Sequence, residues 1–103
     1  MIIGTVIGNV WATHKDPTLN GLRLLVVQPM DAEARNTAET IVAVDPMGAG
    51  IGERVLVVMG RAARHVIGRG HDIGFQTAIA AIIDRMELGG RSIAGHVDQD
   101  SPQ

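Results

Sequence analysis

The chain has no cysteine and no tyrosine, and its 103 residues include one tryptophan and one phenylalanine, Trp11 and Phe75. Without cysteine there is no disulfide, no thiolate metal site and no thiol nucleophile, which fits a reducing cytosol. Two aromatic rings cannot form the stacking platforms to which single-stranded nucleic acids bind. The residues that are missing therefore argue against a disulfide scaffold, a thiol enzyme and a single-strand binder.

Neither sign of charge dominates. Nine basic residues, eight of them scattered arginines, stand against eleven acidic ones, a net charge of -2 that gives no electrostatic footprint for nucleic acid. The first residues, MIIGTVIG, lack a basic region and predict a strand rather than a signal peptide. No apolar run approaches the length of a membrane span. We therefore expect a cytoplasmic protein without a nucleic-acid or membrane partner.

What is present is aliphatic. Thirteen glycines and an apolar content of 46% predict short strands joined by tight turns around a small core, for which oligomerisation would bury more surface. Five strands and one short helix in about 100 residues point to a small β-barrel, with an α+β sheet as the alternative. We predict one domain over residues 1–96, followed by a flexible acidic tail at 97–103.

Periodicity and turn signals place most of the elements. Residues 30–39 predict an exposed loop, and 54–60 are apolar enough to predict a strand buried on both faces. Residues 76–88 are ambiguous: their isoleucines recur at helical spacing, which favours a helix, whereas their isoleucine content and the following ELGGRS hairpin signal favour a strand. The remaining predictions are strands at 2–13, 22–29, 40–45 and 54–60 and a helix at 61–68.

The glycine-rich stretch AVDPMGAGIGERVLVV, residues 43–58, raises the question of a phosphate-binding loop. A dinucleotide fingerprint needs a third glycine and a following helix, but Glu53 stands at that position and a strand follows. A P-loop would need Gly-Lys-Ser/Thr, which is absent. The pattern favours a structural bend between two strands.

Other candidate groups give weak signals. The four histidines form no metal-ligand spacing, and only His71 and Asp72 place two possible ligands side by side. Asp84 lies in an apolar run and is expected to point outward or to pair with an arginine. Residues 61–65 carry positive charge on a short helix, either a solvated face or a place where Arg64 pairs with a carboxylate of a neighbouring subunit. No catalytic residue, metal or cofactor is predicted.

Three linked stretches, GTVIGNVWATHKDPTLNGLRLLVVQ, VAVDPMGAGIGERVLVVMGRAAR and AIAAIID, follow one another within roughly residues 1–88. In their order and spacing they resemble the EutN/CcmL family of bacterial microcompartment vertex proteins. Their most specific positions are Thr13, Lys15, Leu19, Gly21, Leu24 and Leu25, then Asp45, Gly48, Ala49, Gly50, Glu53, Val55 and Leu56, and the pair Ala63 and Arg64.

The resemblance implies a mostly β protein, a small five-stranded OB-like barrel with one short helix that assembles as a cyclic pentamer. It implies a structural shell protein that caps the vertices of the polyhedral shell, without enzymatic activity or cofactor, whose partners are its own copies and hexameric shell proteins. It also makes AIAAIID a strand followed by a hairpin at Gly89-Gly90. We further expect Gly48, Ala49 and Gly50 to line an axial pore, with Asp45, Glu53 and Arg64 near subunit contacts.

Two other functions remain open at this point. One is a ligand-binding OB-like module that uses the 46–53 loop for an anion or nucleotide. The other is a small cytosolic enzyme, which would require His71, Asp72 and Asp84 to converge.

Overall fold

Five strands close into a barrel in the computed structural model of the chain. The structure describes residues 1–11, 21–31, 33, 35–37, 39–67, 77–88 and 90–95. The barrel order is β1-β2-β3-β5-β4, with β3 and β5 parallel and the other neighbours antiparallel. The elements are β1 (Ile2–Val10), β2 (Arg23–Pro29), β3 (Ile41–Asp45), β4 (Arg54–Met59), α1 (Gly60–Ile67), β5 (Thr77–Ile82), β6 (Arg85–Leu88) and β7 (Arg91–Ala94).

The barrel interior is aliphatic, as the composition predicts. Alternate residues of each strand point inward, and Val6, Leu25 and Val27 are among those that are buried there. A bulge in β1 between Val6 and Gly8 reverses this alternation in the second half of the strand. The strand ends at Val10, three residues before the predicted end at residue 13.

A second core lies between the helix and the outside of the barrel. Ala63 of α1 is fully buried against Val44, Val58 and Ala78, which point outward from three strands. Val57 fills the barrel interior while its neighbour Val58 lies under the helix. The prediction that this strand is buried on both faces is confirmed at these two positions, and Met59 at its end is exposed.

The helical interpretation of residues 76–88 is wrong, and the strand implied by the resemblance is confirmed. In β5, the adjacent residues Ala78 and Ile79 are both fully buried, one beneath α1 and the other inside the barrel. A strand covered on both faces loses its polar and apolar alternation, so its isoleucines matched a helical spacing by coincidence.

A second small sheet follows the barrel. Strands β6 and β7 pair antiparallel from Arg85 with Ala94 to Leu88 with Arg91, which confirms the hairpin after Leu88. The expected number of five strands is that of the barrel and does not include the two strands of the hairpin. The reason is that residues 76–88 form one apolar segment, which contains both the last strand of the barrel and the first strand of the hairpin.

The remaining predictions concern the loops and the end of the chain. The described residues between 30 and 39 lie outside the barrel strands. They contain one isolated antiparallel β-bridge, between Met30 and Asn36. The predicted tail at 97–103 lies outside the described residues. The OB-like name for the barrel topology stays our interpretation of the strand order.

Candidate functional site

The segment between β3 and β4, residues 46–53, is the glycine loop, and the carboxylate of Asp45 holds its first half. Asp45 Oδ1 accepts hydrogen bonds from the backbone N–H groups of Met47 and Gly48 at 2.9 and 3.0 Å, and Oδ2 accepts one from Ala49 at 2.9 Å. A short carboxylate after a strand can reach amides two to four residues on, the geometry of an Asx turn. The conformation of the first half of the loop is therefore set by one buried side chain.

Arg23 completes this arrangement from the neighbouring strand. Its Nη1 lies 3.1 Å from Asp45 Oδ2, and its Nη2 donates to the carbonyl oxygen of Ala49 at 3.2 Å. The Asp45 side chain is fully buried whereas that of Arg23 is 52% exposed, so the ion pair has one end in water. The register of β2 and β3 places Arg23 directly beside Asp45. The guanidinium can therefore neutralise the buried carboxylate and bind the loop to β2.

The second half of the loop is held by Glu53 and by β1. Glu53 Oε1 accepts a hydrogen bond from the N–H of Gly50 at 2.6 Å. The backbone of Glu53 and Gly52 exchanges hydrogen bonds with Val6 at 2.9 and 2.8 Å. The loop is consequently tied to three strands of the barrel rather than free to close over a ligand.

These contacts determine what the loop can bind. Successive N–H groups that converge on one point form an anion-binding concavity. Here the carboxylates of Asp45 and Glu53 occupy that position, because the N–H groups of residues 47 to 50 donate to them. A phosphate would have to displace a buried carboxylate. The alternative of an anion or nucleotide site in this loop therefore finds no support in its geometry.

The outer side of the loop is apolar. Met47 is 44% exposed and Ile51 is 37% exposed. Gly48 lies between them at a φ of 81°, a left-handed conformation that favours glycine, and a Cβ added there would meet no atom within 4 Å. A braced loop with apolar tips is suited to contact another protein surface.

The structure brings five of the six predicted site residues together. Gly48 is exposed, Gly50 and Glu53 are half-buried, and Asp45 is buried. The methyl group of Ala49 packs in the barrel core. Arg64 lies apart from them on α1, and its side chain is outside the described part of the structure.

Sequence reasoning missed Arg23 as a member of this site. Only the pairing of β2 with β3 places its guanidinium beside Asp45, 22 residues away along the chain. The one available signal was its position near the start of the strand that precedes β3, because the start of one antiparallel strand lies beside the end of the next. Arg54 also begins a predicted strand, so this signal alone does not single out Arg23.

The other candidates do not form a site within the described residues. Asp84 is exposed, as expected, and His71 and Asp72 lie outside the described residues. No group of three or more histidine and acidic side chains in the described ranges could hold a metal ion. None of the helical residues that the structure describes forms a segment long and apolar enough to cross a membrane.

The closed barrel, the packed helix and the internally satisfied loop define the class: a small β-barrel protein with several apolar residues exposed on its outer surface. The sequence family described as "Ethanolamine utilisation protein EutN/carboxysome" matches residues 1–84. The chain belongs to this EutN/CcmL family, which confirms the resemblance seen in the sequence.

Relatives and solved structures agree with this membership. The shell vertex protein GrpN of Rhodospirillum rubrum is 39% identical over 84% of this chain and 97% of its own length. The carboxysome vertex protein CcmL of Synechococcus elongatus is 40% identical over 90% of this chain and 93% of its own. The solved structure described as the pentameric microcompartment shell protein GrpN superposes with a TM-score of 0.75 at 36% identity, covering 85% of this chain and all of that one.

Proposed function

We propose that this chain is a structural shell protein and that five copies form a ring that closes a vertex of a bacterial microcompartment shell in the cytoplasm. The observation that carries the proposal is the family match over residues 1–84, together with the likeness to a solved pentameric shell protein along that protein's whole length. A ring of identical copies uses one patch and its different complement on each copy. Five-fold closure supplies the curvature that flat sheets of hexamers lack.

The glycine loop is proposed to meet the five-fold axis. Gly48 is exposed and has no side chain, so backbone can come close to an axis there. Gly50 and the backbone of Ala49 would continue the pore lining, because the Ala49 methyl group is occupied in the barrel core. The apolar tips Met47 and Ile51 support a protein contact beside this pore.

Glu53 and Arg64 are proposed to lie near the subunit contacts. Asp45 would act there indirectly, since its carboxylate is buried and shapes the loop that makes the contact. The ring is further proposed to bind hexameric shell proteins along its rim and to have a structural rather than a catalytic role. The names of the relatives, which are all shell vertex proteins in the cases cited above, support both statements.

Native mass spectrometry tests the assembly. We expect a particle of five times the 10.9 kDa chain mass in a near-physiological buffer. A monomer or dimer at micromolar concentration would contradict the proposal. Coexpression with a hexameric shell protein is expected to give closed particles under the electron microscope, whereas the hexamer alone should give sheets, tubes or open shells.

The place of the loop has its own test, which the cysteine-free sequence makes simple. A Gly48→Cys variant would put one thiol per copy around the axis, and oxidation should join neighbouring copies within one pentamer. Thr40→Cys, which places a thiol at an exposed position away from the loop, serves as the control. If the Gly48→Cys variant forms pentamers whose thiols never cross-link, residues 48–50 lie on the outer rim and the pore assignment is wrong.

A further inference from the structure

An apolar stripe crosses the outer wall of the barrel. The barrel stripe consists of Ile7, Val26, Val42 and Ile51. The strand register places Val26 beside both Gly8 and Val42, and the bulge residue Ile7 precedes Gly8. Ile51 lies at the end of the barrel stripe beside Ile7, because the next residue, Gly52, donates its N–H to the carbonyl oxygen of Val6 at 2.8 Å. Ile7 is 49% exposed and Val42 and Ile51 are each 37% exposed, so the stripe faces water in the single chain.

The stripe has a shallow dip at its centre. A Cβ built on Gly8 would lie 3.9 Å from the Cβ and Cγ2 atoms of Val26, so both residues are on the same face. Without a side chain at Gly8, the surface between Ile7 and Val26 is recessed. An apolar surface with a recess and no charged member is suited to receive a projecting apolar group.

The β6–β7 hairpin is the second unpartnered surface. Met86 and Ile93 face each other across its two strands and are half-buried, but neither belongs to a core cluster of the described chain. The opposite face carries the exposed side chains of Arg85, Glu87, Ser92 and Ala94. The hairpin is therefore amphipathic, and its apolar face is half-buried in the single chain without belonging to either core cluster of the described residues.

The hairpin is fastened to the barrel at its base. The backbone N–H of Arg54 donates to the carbonyl oxygen of Gly95 at 2.6 Å, and its carbonyl oxygen accepts the N–H of Ile83 at 2.8 Å. The Arg54 guanidinium also donates through Nη1 to the carbonyl oxygen of Ala94. Beyond this base, β6 and β7 pair only with each other in the described structure. An isolated two-stranded sheet is marginally stable in water, so this hairpin needs a covering surface.

We propose that the apolar face of the β6–β7 hairpin of one copy packs on the barrel stripe of the next copy, and that this contact closes the ring. The inference rests on the proposed pentamer and names its two complementary patches. A second copy is the occupant because a cyclic ring requires two different patches on each subunit, and the exposed barrel stripe and the half-buried hairpin face are two different apolar surfaces of the described chain. The fastened base fixes the direction in which the hairpin leaves the barrel.

Cross-linking tests the contact directly. In the cysteine-free chain, Val42→Cys combined with Ile93→Cys places one thiol on each patch. A bis-maleimide reagent should then give a ladder of covalently joined chains up to five on a denaturing gel. Each single-cysteine variant should stay at one chain, because the stripe meets a hairpin and not a second stripe.

Charge substitutions test it independently. Val42→Lys and Ile93→Asp should each abolish the pentamer at concentrations where the unsubstituted chain is fully assembled. Combined in one chain, they should restore it, since every junction then pairs a lysine with an aspartate. Circular dichroism melts of the monomeric variants check that the barrel is folded, which is expected because both side chains lie outside the core clusters.

The outcomes separate the two proposals. Pentamers of the unsubstituted chain with no cross-linked ladder, or pentamers that persist in both charge variants, overturn this inference and leave the proposed function standing. A dimer from a single-cysteine variant also overturns it, because it would show a two-fold contact. An unsubstituted chain that remains monomeric overturns the proposed function and this inference together.

Discussion

Asp45 is the residue on which the local structure of the glycine loop depends. Its two carboxylate oxygens accept three backbone hydrogen bonds and the guanidinium of Arg23. A buried carboxylate is tolerated only where its lone pairs are satisfied, and here every contact comes from the loop or the adjacent strand. One side chain thus gives the first half of a glycine-rich segment a defined conformation.

Replacement of Asp45 by alanine should destabilise the chain by about 3 kcal/mol, because three amide donors, one of them buried, and the Arg23 guanidinium lose their buried acceptor. Urea unfolding of a monomeric background, such as Val42→Lys, measures this free energy. Glu39→Ala is the matched control, since that acidic side chain is exposed and its loss should cost less than about 0.5 kcal/mol. Equal stabilities of the two variants would contradict the bracing role of Asp45.

A second carboxylate, Asp31, offers a test by pH. The backbone N–H of Arg35 donates to Asp31 at 3.0 Å and is the main cause that lowers the pKa of this carboxyl below its usual 3.8. Partial desolvation opposes the shift, while the N–H of Glu33 and the charge of Arg35 add to it. Because the folded pKa is lowered, the contribution of these bonds is complete above the unfolded pKa and is lost as pH falls through the folded value.

An NMR titration of the Arg35 and Glu33 amides should therefore show a midpoint below pH 3.8. Arg35→Gln keeps the backbone donor and should retain most of the shift. A midpoint that returns to the usual value in this variant would show that the guanidinium, and not the backbone, is the main cause.

At the scale of the element, β1 uses its two glycines for different purposes. A Cβ on Gly4 would lie 2.5 Å from Val27 Cγ1 and 2.7 Å from the carbonyl oxygen of Gln28, inside the contact of β1 with β2. A Cβ on Gly8 would meet Val26 at an ordinary van der Waals distance of 3.9 Å. The first glycine permits close strand approach, and the second leaves a recess on the outer face.

Gly4→Ala should consequently destabilise the barrel by about 1–3 kcal/mol through overpacking, whereas Gly8→Ala should change its stability by less than about 1 kcal/mol. Thermal unfolding of the two variants in the same monomeric background provides the comparison. If Gly8→Ala destabilised the barrel more than Gly4→Ala, the close approach of β1 and β2 at Gly4 would be contradicted.

The junction of the hairpin is the other element whose geometry makes a prediction. A side chain at Gly95 would overlap the carbonyl oxygen of Ile83, and burial lowers the pKa of the Arg54 guanidinium below its usual value. The buried Arg54 Nε has no hydrogen-bond partner among the described residues, so the guanidinium is held chiefly through Ala94. This base is tightly packed and intolerant of added atoms.

Gly95→Ala should therefore detach the hairpin while leaving the barrel folded. Hydrogen exchange should accelerate at the amides of β6 and β7, with those of β1 to β3 unchanged. Both changes are made in the monomeric Val42→Lys background, where Gly8→Ala adds the same methyl group to a permissive site and is the control for folding. If the amides of β6 and β7 exchange as slowly in the Gly95→Ala variant as they do without this substitution, the role of this base is contradicted.

For the whole molecule, folding and assembly should be coupled. The barrel has a small aliphatic core, and a chain of 103 residues has limited apolar surface to bury by itself. Association that involves only the folded chain adds to its stability by mass action. The exposed apolar residues of the loop and the barrel stripe are the surface available for this gain.

The apparent Tm should therefore rise by several degrees over a hundredfold increase in protein concentration. Differential scanning calorimetry at a fixed scan rate measures the effect. The assembly-deficient Val42→Lys variant should melt at one temperature throughout the same range. A concentration-independent Tm in the unsubstituted chain would show that the ring contributes little to stability.

Much of this architecture could be predicted from the residues in order. Apolar strands separated by turn signals indicated the first four strands of the barrel, and good helix formers indicated α1. The linked motifs around Asp45 and Gly48 identified the family, which its match over residues 1–84 confirmed. These features are local because propensity, turn chemistry and motif spacing are properties of short segments.

Other features were decided only by tertiary structure. Residues 77–82 form a strand because the helix and the barrel interior cover its two faces, and no local pattern records that burial. The strand register joins Arg23 to Asp45 and aligns Ile7, Val26 and Val42, which are far apart along the chain. The sequence by itself determined the family and most of the elements; the closure of the barrel determined that residues 77–82 form a strand, which side chains became neighbours and which remained exposed for another copy.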